Sequence, residues 1–231
     1  MGLTILIEEM FKVDLVLILN SIRGAFFATI LAAFIALPTA YLIEFKNFRG
    51  KSILEIITIL PLGVPPVVTG YLLLILLSPR YFFGQAIEYS FGGTLVFTWI
   101  AGSLAASIVS FPLIVRAFQV GMSNVSNKEI TSAKSLALSE INIFISIILP
   151  LSKKGILAGI LICFVRSLSE FGATIIVAGN IPGSTQNLST AIFSGISSAN
   201  TADVVRLSIF SILLAILSIT AHNILLRKKG V

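Results

Sequence analysis

The chain has 231 residues, 56% of them hydrophobic and only 11% charged, with a formal net charge of +6. A soluble domain carries about 25% charged residues, so there is too little polar surface here to cover a water-facing globule. A lone cysteine, Cys163, and a lone histidine, His222, exclude a disulfide framework and argue against an intrinsic metal site. Hydrophobic runs of about 20 residues recur, which predicts an all-α, polytopic membrane protein embedded in lipid. The alternating ten-residue segments of a β-barrel are missing. The basic excess reads as residues flanking helices on the cytoplasmic side, not as a nucleic-acid surface.

Residues 1–14 are polar and mildly acidic and lack the basic start and cleavage site of a signal peptide. A first span is predicted over about 15–43, with Pro38 near its end as a kink and Arg23 able to snorkel outward. A basic loop, 44–52, leads to a second span over about 53–77. That span contains PLGVPP, whose Pro61, Pro65 and Pro66 break the helical hydrogen-bond ladder. Broken backbone at membrane depth is tolerated where protein or a wet cavity satisfies it. Pro65 and Pro66 therefore mark either a packed kink or backbone near a translocation path. The loop 78–93 carries Arg80, and a third span follows over about 94–118. A polar segment, 119–154, precedes a fourth span over about 155–178. A Gly/Ser/Asn-rich stretch, 179–203, precedes a fifth span over about 204–226, which ends in Arg227, Lys228 and Lys229. The whole chain, 1–231, reads as one domain of five transmembrane helices.

With five spans the two termini lie on opposite sides. Eleven Lys and Arg fall on one side, including Lys46, Lys128, Lys134 and Lys153, against Lys12, Arg80 and Arg206 on the other. The positive-inside rule then predicts the N-terminus outside, the C-terminus inside and the segment 119–154 in the cytoplasm.

Within that segment, 128–138 is a short helix-like polar run. Apolar residues then recur at Ile141, Phe144, Ile145, Ile148 and Leu149 with helical spacing, and Pro150 is predicted to stop the pattern. The stretch resembles the EAA loop of ABC-transporter permeases, whose pattern is E-A-A, three residues, Gly, nine residues, Ile, one residue, Leu-Pro. Aligned on Ile147, Leu149 and Pro150, the E-A-A positions fall on Thr131, Ser132 and Ala133 and the Gly position on Ala137. The spacing and the I-x-L-P end match. The Glu, one Ala and the Gly do not, and Glu129 stands two places early.

No P-loop, nucleophile elbow or catalytic triad is present, so neither ATP hydrolysis nor any other catalysis is expected of this chain. The sharpest charged pair is Arg166 and Glu170, at i, i+4 on one helix face, with Ser167 and Ser169 beside it. Each charge costs about 2.5–3.5 kcal/mol at the bilayer centre. The pair therefore faces protein or water, as a packing ion pair or as a lining near a gate. Gly155 and Gly159, four apart, suit close helix packing. In AGNIPGSTQN, Pro182-Gly183 predicts a turn, and Asn180, Gly183 and Thr185 belong either to an ordinary solvated loop or to a set of donors for an oxyanion or a docked protein.

PLGVPPVVTGYLLL, SFPLIVRA and RSLSEFGATIIVAGNIPGSTQ resemble segments of the molybdate ABC-transporter permease family, in order and spacing. The resemblance implies a type I ABC-importer permease fold in the plasma membrane of a prokaryote. It implies a second copy of the chain, two cytoplasmic ATPase subunits that bind ATP and Mg, and an extracytoplasmic oxyanion-binding protein. By the same resemblance, Lys128, Glu129, Thr131, Ser132, Ala133, Ala137, Leu138 and Ser139 form the ATPase-coupling segment. Sulfate or tungstate is the alternative cargo. A secondary transporter would need more ionisable groups within its spans, and a purely structural membrane protein would need neither the broken second span nor the projecting polar segment.

Overall fold

The computed structural model describes the backbone of residues 2–227 and the side chains of residues 12–90, 92–126 and 128–224. Lys228 and Lys229 lie outside the described residues. Every regular element among the described residues is helical: α1 (Gly2–Phe45), α2 (Lys51–Gly63), α3 (Pro66–Leu77), α4 (Phe82–Phe91), α5 (Trp99–Met122), α6 (Asn127–Ser135), α7 (Glu140–Leu151), α8 (Lys153–Leu168), α9 (Gly172–Ala178), α10 (Leu188–Ser197) and α11 (Thr201–Arg227). Three helices are long and apolar enough to cross a membrane alone. Among the described residues, two bent pairs, α2 with α3 and α7 with α8, raise that number to as many as five if each pair is one span.

Small residues set the packing. On α1, Ala25, Ala28, Ala32, Ala36 and Ala40 recur every three or four residues, and each is at most 2% exposed. They form one seam against α5, where Ser103 Oγ would stand 3.8 Å from a Cβ on Gly24, while Ala101 and Ala105 on another face of α5 pack with Ala173 and Val177 of α9. Without water to drive apolar helices together, close backbone approach through small side chains is what stabilises such contacts. The opposite face of α1 carries exposed Phe26, Ile30 and Phe34. Helices α5 and α8 meet at glycines, so closely that a Cβ on Gly155 would stand 2.3 Å from the Gly121 Cα. A Cβ on Gly159 would stand 2.8 Å from the Phe118 ring. Helices α3 and α9 touch in the same way, with a Cβ on Gly70 falling 2.5 Å from the Ala173 carbonyl oxygen.

The apolar core joins the lower half of α1 (Ala36, Ile43) and α5 (Ile114, Phe118, Met122) to Ala133 of α6, Ile143 and Ile148 of α7 and Cys163 of α8. The far end is tied by charge as well as packing. Arg206 of α11 reaches buried Asp14 of α1, Nε to Oδ2 at 3.1 Å, and Asp203 one turn earlier at 2.9 Å.

Pro150 does not stop its helix. The ladder widens to a π-helical stretch over Phe144–Ile148, where the Leu149 N–H donates to the Phe144 carbonyl, and helical backbone continues through Leu151. Widening relieves the clash that a proline ring makes with the preceding turn. The chain turns only at Ser152, where α7 and α8 meet at 73°. The apolar run from 141 to 151 is thus helical and, by length and composition, passes as a membrane segment only together with α8, from which it is bent by 73°. The stretch 155–178 is itself interrupted at 169–171, between α8 and α9.

Candidate functional site

Two regions hold the residues singled out in the sequence. The first is the polar helix α6. Ser126 and Glu129 close its start reciprocally: the Glu129 N–H donates to Ser126 Oγ (3.4 Å), and the Ser126 N–H donates to Glu129 Oε2 (2.9 Å). This capping box satisfies two N–H groups that a bare helix end leaves orphaned. Glu129 therefore holds the helix end. At the other end the Ala137 N–H donates to the Lys134 carbonyl (3.0 Å) and the Leu138 N–H to the Ala133 carbonyl (3.3 Å). These two bonds make a Schellman turn, which needs its penultimate residue in the left-handed region. That residue is Ala137, with φ of 56°. The EAA-loop pattern has Gly at this place, and the turn supplies the physical reason.

Ala133 is buried and anchors α6 to the core, with half-buried Ile130 one turn earlier. Lys128, Glu129, Thr131, Ser132, Lys134 and Leu136 face out. Leu136 is 76% exposed, and Leu138, Ile141 and Ile145 continue an exposed apolar strip. Ser139 caps α7 by accepting from the Asn142 N–H at 3.3 Å. The segment is braced against α1 by a Lys46–Glu140 ion pair and by the edge-on contact of Tyr41 with Phe144 (5.0 Å between ring centres). The Glu140 carboxylate, by accepting a hydrogen bond, raises the Lys46 ammonium above its ordinary 10.5, and the Tyr41 ring adds to it. The outcome is a short polar helix, closed at both ends, rooted by one alanine and projecting from the bundle.

The second region lies where α2 gives way to α3 and α8 to α9. The chain bends by 113° between Gly63 and Pro66. Pro66 opens α3, where its missing N–H costs nothing. Exposed Pro65 lends its carbonyl to the Val68 and Thr69 N–H groups (2.9 and 3.3 Å), and the Val64 N–H donates to Leu60. The N–H groups of Val64, Val68 and Thr69 at the break are thus met within the chain. Pro66 sits directly on Gly172, whose added Cβ would come within 3.1 Å of it. Two residues earlier, Glu170 is 2% exposed and bonded on both oxygens, with Oε2 2.8 Å from Arg166 Nη2 and Oε1 accepting from the Ala173 N–H at 3.0 Å. Glu170 stitches the two helices across their gap, and Arg166 balances its charge. Ser169 is exposed and donates to the Arg166 carbonyl at 3.0 Å. Phe171 in the same gap packs on Phe193 of α10, ring centres 5.1 Å apart.

The loop after α9 folds onto itself. The Ile181 carbonyl accepts from the N–H groups of Ser184, Thr185 and Gln186, and Gly183 takes a positive φ of 74°. Buried Thr185 accepts from the Ile181 N–H at 3.1 Å, and Asn180 Nδ2 donates to Ser194 Oγ at 2.5 Å. Asn20 of α1 pins the loop through the Gln186 carbonyl (3.0 Å). These polar groups hold the turn, while Pro182 and Gly183 remain at the surface. Arg206 meets Asp203 three residues earlier on its own helix, a spacing legible in the sequence, and Asp14, which lies 192 residues away and is not. Sequence reasoning also passed over the alanine periodicity of α1, a signal that was present.

Residues 28–230 match the family described as "Binding-protein-dependent transport system inner membrane component". The chain is 40% identical over 186 residues to the molybdenum transport system permease protein ModB of Haemophilus influenzae, covering 80% of this chain and 81% of that one. It is 40% identical over 189 residues to ModB of Escherichia coli strain K12, covering 81% and 82%. To the sulfate transport system permease protein CysT of Salmonella typhimurium it is 32% identical over 178 residues, 74% of this chain and 64% of that one. Among solved structures, a chain of the MetNI methionine ABC transporter in an inward-facing conformation superposes with a TM-score of 0.77 at 13% identity, over 97% and 99% of the two chains. At that identity the likeness is one of fold.

Proposed function

The chain belongs to the binding-protein-dependent transport system inner membrane component family, and from that premise we propose that it is the membrane subunit of an ATP-driven molybdate importer. The observation that carries the cargo is identity of 40% to molybdenum permeases over about four fifths of both chains, against 32% over a shorter share for a sulfate permease. Two copies of the chain rock about their interface in the plasma membrane of a prokaryote, with the N-terminus outside. Two ATPase subunits bind ATP and Mg on the cytoplasmic side, and this chain carries no cofactor of its own. An extracytoplasmic protein selects the oxyanion.

Helix α6 suits the task of transmitting force. Its outward face is polar, and its ends are closed by hydrogen bonds. Its root, Ala133, enters the same core as Phe118 of α5 and Cys163 of α8. A push on α6 is therefore delivered to the crossing of α5 and α8, where glycines allow backbones to slide closely. At the other end of that lever, Pro66 lies at the bend between α2 and α3, and Glu170 lies at the interruption between α8 and α9. Alternating access needs elements with two discrete packings, and a helix broken at 169–171 against one bent at 64–65 supplies candidates.

The test is uptake of [99Mo]molybdate into proteoliposomes carrying this chain, its ATPase and its binding protein. ATP-dependent, vanadate-sensitive uptake that tungstate competes away and sulfate leaves largely intact is the expected result. Uptake indifferent to ATP, or competed equally by sulfate, overturns the mechanism or the cargo respectively. Labelling of a Ser132→Cys variant from the outer face of intact cells would place α6 out of reach of an ATPase.

A further inference from the structure

We propose that the groove where α5 and α8 meet α11 is a transient station for a tetrahedral dianionic oxyanion, held by Arg166, His222 and Asn223. The proposal rests on the oxyanion-importer reading above and names a binding place within the chain for that cargo.

The groove has a volume of about 490 Å³, enough for a small ion with part of its water. Its floor is apolar, with Leu113 of α5, Val165 of α8 and Ile219 of α11. Four polar side chains line it, Arg166 and Ser169 from α8 and His222 and Asn223 from α11. Their hydrogen-bonding capacity is unevenly spent. Ser169 commits its hydroxyl hydrogen to the Arg166 carbonyl and has none to offer. Arg166 gives Glu170 its Nη2 at 2.8 Å. A guanidinium has five N–H donors, and no other acceptor is found for this one among the described residues. Its side chain is 32% exposed while that of Glu170, behind it, is 2% exposed, so the groove meets the cation and not the carboxylate. The His222 ring and the Asn223 amide likewise have no partner among the described residues. Unspent donors from two helices therefore line one opening.

Charge selects the occupant. A lipid tail would fill the apolar floor and leave every donor unsatisfied. Exposing the arginine to hydrocarbon would strip a charge of its solvation with nothing in return. An oxyanion supplies four acceptor oxygens and a charge opposite to that of Arg166. Glu170 already offsets part of the arginine charge, so the station holds an anion weakly, as a path must if its cargo is to leave.

The experiment uses the complete importer, permease with ATPase and binding protein, in proteoliposomes, and reads [99Mo]molybdate delivered per ATP hydrolysed. His222→Glu keeps a polar side chain but turns it into a repelling charge, whereas His222→Gln keeps a donor. We expect the Glu variant to lower the ratio about tenfold, the scale of one hydrogen bond to a charged group, and the Gln variant to stay within about twofold of wild type. Asn223→Asp, at an exposed position, gives the same comparison should His222→Glu not assemble. A merely structural role would not separate Gln from Glu in an assembled complex. Equal ratios for wild type, His222→Glu and Asn223→Asp overturn the station while leaving the importer reading standing. A wild-type complex that moves no oxyanion overturns both.

Discussion

Replacing Ala137 by glycine removes a backbone penalty at the end of α6. Ala137 holds φ at 56°, and the turn around it is fixed by the Ala137 N–H to Lys134 bond at 3.0 Å and the Leu138 N–H to Ala133 bond at 3.3 Å. An L-residue in the left-handed region costs roughly 1–2 kcal/mol. Glycine avoids that cost but loses about 0.4–1 kcal/mol through its freer unfolded chain. The net gain is on the order of 0.5–1 kcal/mol, and local opening of the turn should fall about two- to fivefold. Hydrogen exchange of a peptide covering 133–140, followed by mass spectrometry in detergent or nanodiscs, reads this directly. Ala137→Val, β-branched and less tolerant of positive φ, should move exchange the other way. Exchange in Ala137→Gly equal to or faster than wild type would refute the assignment of the Schellman turn and the reason given for glycine in the family pattern.

Other outcomes follow from the same structure. Gly155→Ala drives a methyl to within 2.3 Å of the Gly121 backbone, and overpacking of this kind costs about 1–3 kcal/mol, seen as a lower melting temperature of the purified chain. Arg166→Gln leaves Glu170 buried without its cation, a loss of about 3 kcal/mol, and the Arg166→Gln, Glu170→Gln double variant should recover most of it in thermal unfolding. If the double variant is no more stable than the single one, the pair is not coupled. Glu140→Gln should loosen the tie to Lys46 only modestly, because both groups are solvent-exposed. Because Lys46 is raised by that contact, its contribution is fully present below pH 10.5 and fades as pH climbs through the raised value. A protection factor of the α7 start, corrected for the base-catalysed intrinsic rate, that falls instead between pH 7 and 9 would contradict this.

What the chain order alone carries is whatever depends on neighbours a few residues apart. Twenty-residue apolar runs announce membrane helices, since hydrocarbon forces every span to satisfy its own backbone. The i, i+4 spacing of Arg166 and Glu170 already puts them on one face, and their ion pair is there. The polar run 128–138 is legible as a short helix, and the Ser126 and Glu129 capping box that closes its start is there in the structure. The path through Pro150 was not legible, because a π-helical widening is an accommodation to packing and leaves no periodicity of its own. Neither was the 113° turn at the prolines, since PLGVPP states that the ladder breaks but not the angle at which its halves pack against Gly172. Asp14 finding Arg206, and His222 and Asn223 opening onto the groove of Arg166, join residues far apart along the chain. Only the packing of helices on small side chains brings such groups together, and that close approach is a property of two surfaces at once, which no single stretch of sequence contains.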